Sequence, residues 1–504
     1  MSAGTHDVVV VANRLPVDVT IGEGGSLSFE RSPGGLVTAL APVMESQGGA
    51  WVGWTGKPDI DVAPFEDETM TLWPVRLSEQ EVAGFYEGFS NATLWPLYHD
   101  VIVPPEFHRA WWNTYSAINR RFATAAAQAV APGGTVWVHD YQLQLVPAAL
   151  RALRPDVKIG FFNHIPFPPL EIFTQLPWRR QIIEGLLGAD LVGFQRPGDA
   201  SNFLRSVRRL TGLQVRGPQV TVPGHWSRPD RTVRAQAFPI SIDSAAFDRL
   251  ARTPEVQERA KQIRLELGSP EVVLLGVDRL DYTKGISHRL KTFGELLEDG
   301  QLRPPEACMV QVASPSRERV EQYRQLRDEV EVTVGRINGD YGTLGRAAVH
   351  YMHHSYPMEE MAALYSAADV MLVTSLRDGM NLVAKEYVAA RSDLGGALVL
   401  SEFTGAADEL TQALMINPHD INGTKAKIMQ AVTMSTQEKR RRMRSLRRRV
   451  LTHDVQRWAD DFLGYLAMSV PTPPSDLRPG RHHGETTQGD EPSQARTTRE
   501  EDAR

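Results

Sequence analysis

The feature that most constrains this chain is a rhythm: short apolar segments recur along it, each followed by a stretch of helical periodicity. In the first half they fall at residues 8–11, 50–54, 136–139, 159–162 and 191–194. In the second half they fall at 272–277, 307–312, 370–374, 397–400 and 414–416. Runs such as Val272-Val273-Leu274-Leu275-Gly276-Val277 stay apolar instead of alternating, as strands covered on both faces do. Strands that alternate with helices predict an α/β protein with two doubly wound, Rossmann-like domains. Their strand ends would face one another across a central cleft, where such sheets bind ligands. Residues 1–240 form the first domain in this reading and 241–470 the second. Pro, Gly, Arg, Asp and Glu dominate residues 471–504, which predicts a disordered tail.

Composition narrows the class further. A chain of 504 residues, 42% of them hydrophobic, has the material for two to four cores. Its formal net charge of −6 gives no global reason to bind nucleic acid or an anionic membrane. No apolar run is long enough to span a bilayer, and no basic stretch followed by an apolar one opens the chain. Cys308 is the only cysteine, so no internal disulfide can form. A cytoplasmic protein is expected.

Two turns carry the chemistry. After the apolar segment at 370–374 comes Leu376-Arg377-Asp378-Gly379-Met380-Asn381-Leu382-Val383-Ala384-Lys385-Glu386, a Gly-bearing turn that reads into a helix. The free N–H groups of that helix start would face the turn and attract anions or hydroxyl-rich ligands. Asp378 stands at the mouth and Glu386 about a turn and a half into the helix, and carboxylates accept readily from sugar and ribose hydroxyls. The second turn, Asp278-Arg279-Leu280-Asp281-Tyr282-Thr283-Lys284-Gly285, leads into a helical pattern from 286 to about 297. Arg279 offers a planar fork of donors and Lys284 a point charge, and together they suit a diphosphate. The plainer alternative is that Asp278 and Asp281 neutralise both cations in an ordinary surface turn.

These two motifs resemble those of the trehalose-6-phosphate synthases (glycosyltransferase family 20), retaining glycosyltransferases of the two-Rossmann GT-B type. The resemblance continues through Asn13-Arg14-Leu15-Pro16, Pro33-Gly34-Gly35-Leu36, Phe89-Ser90-Asn91-Ala92-Thr93-Leu94-Trp95-Pro96, His139-Asp140-Tyr141, Phe162-Asn163-His164-Ile165-Pro166-Phe167-Pro168 and Gly335-Arg336-Ile337-Asn338-Gly339. It implies glucose transfer from a nucleoside diphosphate glucose, UDP- or ADP-glucose, to glucose 6-phosphate. Catalytic roles fall on Asp140, His164, Arg279, Lys284 and Asp378. The donor would be held by Gly34, Gly35, His164, Arg279, Lys284 and the run Asp378 to Glu386, with Gly34-Gly35 folding over the diphosphate. Within that run the helix start at Asn381, Leu382 and Val383 would face the leaving group, Asp378 the sugar and Glu386 the ribose; Gly379, Met380, Ala384 and Lys385 complete it.

For the acceptor, Arg14 and Arg317 are placed to clamp a phosphate from opposite domains, and the resemblance adds Tyr86, Trp95 and Asp140. His139 competes with Asp140, but neighbouring strand residues point to opposite faces, so only one can meet a ligand. The final helix, 455–466, is expected to pack back on the first domain. Both a front-side route, in which the leaving phosphate takes the incoming hydroxyl's proton, and a covalent double displacement are open. A homo-oligomer, dimer or tetramer, is expected.

Other signals carry less. Asp59-Ile60-Asp61 has the spacing of a metal motif but lies in a proline-flanked loop, and His350, His353 and His354 lack an acidic or cysteine partner. No metal or cofactor is expected. Seven arginines within 440–449 read as a solvated helix face, without the aromatics of a nucleic-acid site. The rivals are a related GT-B enzyme with another acceptor and a non-catalytic sugar-phosphate sensor. Paired arginines argue against a neutral acceptor, and a complete donor set argues against a sensor.

Overall fold

Val9, Val10 and Val11 are fully buried in the strand His6–Arg14, the signature of a strand covered on both faces. The computed structural model describes residues 5–22, 27–31, 40, 49–67, 70–224 and 230–468. His6–Arg14 lies inside a ten-stranded sheet. On one side it pairs in parallel with Ala50–Trp54, which pairs with Met70–Pro74. On the other side come Val130–His139, Lys158–Phe162, Leu191–Phe194 and Arg231–Ala237, all parallel. Antiparallel pairing is confined to the edges, at Phe65–Asp67 and at Gln219–Val222 with Gln214–Arg216. These edge strands were not foreseen, because their exposed glutamines and arginines carry no continuous apolar signal.

The second sheet has six parallel strands in the order Val349–Met352, Ala307–Ser314, Val272–Arg279, Val370–Val373, Ala397–Ser401, Leu414–Ile416. Its earliest strand, Val272–Arg279, sits inside, and later strands add outward on both sides. His6–Arg14 likewise sits inside the first sheet, with later strands on both sides of it. Each sheet therefore reverses its order beside its first strand, and the crevice outside the strand ends opens there. This is the mixed α/β, doubly wound class read from the alternating segments.

Two further elements matter for the site. Val82–Leu94 is a π-helical segment, a rare geometry that recurs at functional sites, and it delivers Tyr86 and leads into Trp95. The helix Val455–Ala467 lies against the first sheet. Phe462 stacks on Trp137 at 4.7 Å between ring centres, and Trp458 lies 4.9 Å from the same indole. Strand glycines make this possible, since a Cβ on Gly160 or Gly193 would come within 2.7 Å of the Phe462 ring.

The arginine-rich helix Thr436–Thr452 corrects one expectation. Arg447 is buried, paired with Asp248 at 2.5 Å and donating to the Val388 carbonyl at 3.1 Å. Arg449 pairs with Glu409, and Arg442 donates to the Gln412 carbonyl. Part of the presumed solvated face thus fastens the helix to the second domain. Among the described residues no helix is long and apolar enough to cross a membrane.

Candidate active site

The strand Val272–Arg279 ends on an exposed Arg279, and a single turn, Tyr282–Lys284, follows before the helix Ile286–Glu298. Gly285 between them has φ 65°, and a Cβ there would collide with the Thr374 carbonyl. The Thr374 hydroxyl donates to the carbonyls of Lys284 and Gly285 at 3.2 and 3.1 Å, and the Leu376 N–H donates to Thr283 at 2.7 Å. The two turns singled out separately in the sequence therefore form one wall at the switch point.

Their charges do not pair as the plain reading had it. Asp278 is paired with the buried Arg289 at 2.6 Å, and Asp281 with Arg317 at 2.7 Å. Among the described residues Arg279 has no ion-pair partner; it lies over the Trp95 ring, 5.5 Å from its centre. Lys284 meets Asp378 at 2.6 Å. Burial works to raise the Asp378 carboxyl, but the Lys284 ammonium outweighs it and holds the group below its ordinary value. Asp281 behaves likewise: burial is opposed by Arg317, Arg279 and Lys284, and its pKa ends below the usual carboxylate range.

Beyond Asp378, the Gly379 backbone abuts the His164 carbonyl of the first domain so closely that no Cβ would fit. Asn381, at φ 80°, caps the helix Leu382–Ala390 by accepting from the Ala384 N–H at 3.0 Å. That leaves the N–H groups of Leu382 and Val383 as the unpaired donors of the first turn. The side chains of Met380 and Ala384 are buried and those of Leu382 and Val383 are apolar and pack on the core, so the hydrogen bonds this helix start can offer a ligand come from its backbone. Lys385 is a correction. Its ammonium is buried, bound to Glu409 and to the Ile240 carbonyl at 2.7 Å, and is closed to a donor. Glu386 accepts from the Tyr365 hydroxyl at 2.8 Å, and burial raises its pKa. Gly34 and Gly35 lie outside the described residues.

On the facing side, Arg14 ends its strand exposed, pairs with Asp18 at 2.8 Å and lies 5.4 Å from the centre of the Trp54 ring. Trp54 in turn is 6.3 Å from Tyr86. Arg317 departs from expectation. It is not an open cation but a buried one, its side chain 4% exposed, stacked 3.8 Å over Trp95 and donating to Asp281, to the Tyr323 hydroxyl and, at 3.2 Å, to the Tyr141 hydroxyl. Two residues were missed. Trp54 closes a strand at the switch point, a position that could have flagged it. His99 gave no such signal. It is buried against Trp95 at 4.1 Å, donates from Nδ1 to the Trp95 carbonyl at 2.8 Å, and is pushed down to about 4 by burial.

Asp140 stands between the two sides, with φ 75°. Its Oδ1 accepts from the His164 N–H at 3.1 Å. Burial pushes its carboxyl up to about 6, against the pull of the Tyr141 and His164 N–H groups and of Arg279 and Arg317. His139 is fully buried and hydrogen-bonded to His164. Arg377 reaches across to Asp100 and Asp199 at 3.3 and 3.5 Å, and Arg196 holds Asp408 with two bonds at 2.7 and 2.8 Å. Asp59 accepts from the Glu79 N–H at 3.2 Å, and among the described residues no three His, Cys, Asp or Glu side chains cluster to hold a metal.

Two doubly wound sheets facing one cleft, with a helix start, carboxylates and an arginine lacking an ion-pair partner among the described residues along one wall, have the architecture of the GT-B glycosyltransferases. The model of Glycosyltransferase family 20 matches residues 6–468. The trehalose-6-phosphate synthase of Mycobacterium avium (strain 104) is 60% identical over 477 residues, covering 93% of this chain and 97% of that protein. An E. coli structure bound with UDP-2-fluoro glucose is 34% identical, with a TM-score of 0.83, over 92% of this chain and 99% of that one. A UDP-forming α,α-trehalose-phosphate synthase from Burkholderia xenovorans, in complex with glucose-6-phosphate, is 33% identical, with a TM-score of 0.83, over 91% of this chain and 99% of that one. The chain belongs to glycosyltransferase family 20 and is an enzyme of the trehalose-6-phosphate synthase kind.

Proposed function

We propose that the enzyme transfers glucose, with retention, from UDP- or ADP-glucose to glucose 6-phosphate, giving α,α-trehalose 6-phosphate and the nucleoside diphosphate. The observation that carries the donor side is Arg279, which has no ion-pair partner among the described residues. The two acids of its own turn are taken by other arginines, and a guanidinium with no ion-pair partner among the described residues, beside a helix start, suits a diphosphate. As the glycosidic bond to phosphate breaks, charge grows on the diphosphate, and Arg279, Lys284 and the N–H groups of Leu382 and Val383 stabilise it. Lys284 leaves Asp378 to do so, which turns the Asp378 carboxylate towards the sugar hydroxyls. Glu386 takes the ribose.

On the acceptor side Arg14 exchanges Asp18 for the phosphate. Both partners are nearly half exposed, at 43% and 47%, so the exchange costs little. Tyr86 and Trp54 line its approach, and Trp95 is held in place by Arg317. The Arg317 amino group on Tyr141 is the contact a phosphate replaces. Asp140 binds the acceptor hydroxyls. In this reading no carboxylate is assigned as nucleophile, and the leaving phosphate takes the proton of the attacking hydroxyl on the same face. The ligands of the E. coli and Burkholderia structures support this assignment of substrates.

The test is product formation from glucose 6-phosphate with UDP-, ADP- and GDP-glucose in parallel, with EDTA throughout. Trehalose 6-phosphate with UDP- or ADP-glucose is the expected result. Its absence with both donors, or equal rates with unphosphorylated glucose, overturns the substrate assignment.

A further inference from the structure

We propose that His139 is a positioning residue that locks His164 in its Nδ1–H tautomer, so that His164 meets the donor sugar as a hydrogen-bond donor. The kinetic half of this inference rests on the reading that His164 faces the donor glucose.

His139 Nδ1 and His164 Nε2 lie 2.9 Å apart. Burial pushes the pKa of His164 down to about 3 and that of His139 well below its usual value, so both rings are neutral and share one hydrogen. Which ring supplies it depends on what surrounds the far nitrogen of His139. Three buried side-chain nitrogens in this nest have no partner: Nε1 of Trp137, Nε1 of Trp458 and Nε2 of His139. The Trp137 ring is 4.6 Å from His139 and 4.9 Å from Trp458, and the His139 and Trp458 rings are 6.4 Å apart. Indole nitrogens only donate.

If His164 supplied the hydrogen, His139 would carry its own on Nε2, and three buried N–H groups in neighbouring rings would have no acceptor. If His139 supplies it, Nε2 is a bare lone pair and the orphan donors are only two. Buried orphan donors are the rarer and costlier defect, so the second arrangement wins. His164 Nε2 then accepts, and its hydrogen sits on Nδ1, which has no hydrogen-bond partner among the described residues, in a residue that is only partly buried. The rest of His164 is pinned by its N–H on Asp140 and its carbonyl against Gly379. The ring therefore offers a donor to the cleft and no base.

The experiment uses the full chain labelled with 15N-histidine, with two-bond 15N–1H correlations to separate protonated from bare ring nitrogens. His164→Gln assigns the His164 signals. The expected spectrum shows Nδ1–H on His164. His139→Leu should show both tautomers, and His139→Gln, whose amide still donates, should restore one. In rate terms, halving or worse the competent tautomer gives an expected fall in kcat of about 2–10-fold for His139→Leu. KM for glucose 6-phosphate should stay constant, and His139→Gln should recover the rate. An Nε2–H on His164 in the wild type, or an unchanged tautomer in His139→Leu, overturns the lock. The expected spectra with an unchanged kcat uphold the lock and overturn the role of His164 at the sugar. The wild-type spectrum alone decides the tautomer, so a variant that fails to fold does not remove the test.

Discussion

Replacing Arg279 separates what the site needs from what the fold needs. The Arg279→Gln side chain would break no ion pair among the described residues, because Asp278 and Asp281 are already bound by Arg289 and Arg317. The loss to the fold is the cation–π contact with Trp95 at 5.5 Å, about 0.5–1 kcal/mol at an exposed position. The loss to the reaction is a charge-assisted contact to the diphosphate, roughly 1.5–3 kcal/mol. That corresponds to about 10–150-fold in kcat/KM for the nucleotide sugar. Initial rates at saturating glucose 6-phosphate, with the donor varied, measure the second quantity, and urea unfolding followed by fluorescence measures the first. A rate within threefold of wild type would refute the reasoning. So would a loss of stability as large as that of rate, since Arg279 would then hold the fold and not the ligand.

Three further outcomes follow from the same geometry. Arg317→Met should cost the stability that Arg279→Gln spares: it strands the buried Asp281 and destabilises the protein by about 3–5 kcal/mol in urea unfolding, and adding Asp281→Asn should restore most of that stability without restoring acceptor binding. With Asp140 pushed up to about 6 by burial, its carboxylate contacts are lost as pH falls through that value, so kcat/KM for glucose 6-phosphate should drop on the acid side and Asp140→Asn should remove the enzyme's share of that limb. Stability runs the other way: the native Asp140 holds its proton to a higher pH than the unfolded chain does, so its contribution declines between roughly pH 4 and 6. Gly379→Ala places a methyl against the His164 carbonyl and should cost about 1–3 kcal/mol of overpacking, read as a lower Tm together with a fall in kcat.

What the sequence disclosed was what local chemistry encodes. Strands 272–277 and 191–194 were legible because strands covered on both faces are apolar throughout, whereas Gln214–Arg216 is exposed and looks like loop. The two turns at the switch point were legible because Gly285 and Gly379 stand next to charges after apolar runs. Partnerships were not legible. Nothing near Asp281 says that its cation is Arg317, 36 residues on, and nothing near Lys385 says that Glu409 and Ile240 turn its ammonium away from the cleft. His99 and the His139–His164 bond were hidden for the same reason, since both exist only once separate segments meet. The alternation of strand faces did separate His139 from Asp140, but not the φ of 75° that turns the Asp140 backbone at the strand end.

The helix Val455–Ala467 has a consequence for how the chain comes together. Lys158 bonds to the Ala467 carbonyl across 309 residues, and Phe462 closes over Gly160 and Gly193. A ribosome that has released only the first sheet has therefore made a layer whose inner face, with Trp137 and Phe162, is still wet. Non-local closure of this kind slows folding and prolongs the exposure of apolar surface. The nest around His139 is sealed by Trp458, so a nascent first domain carries His139 and His164 without the dry surroundings that keep both rings neutral.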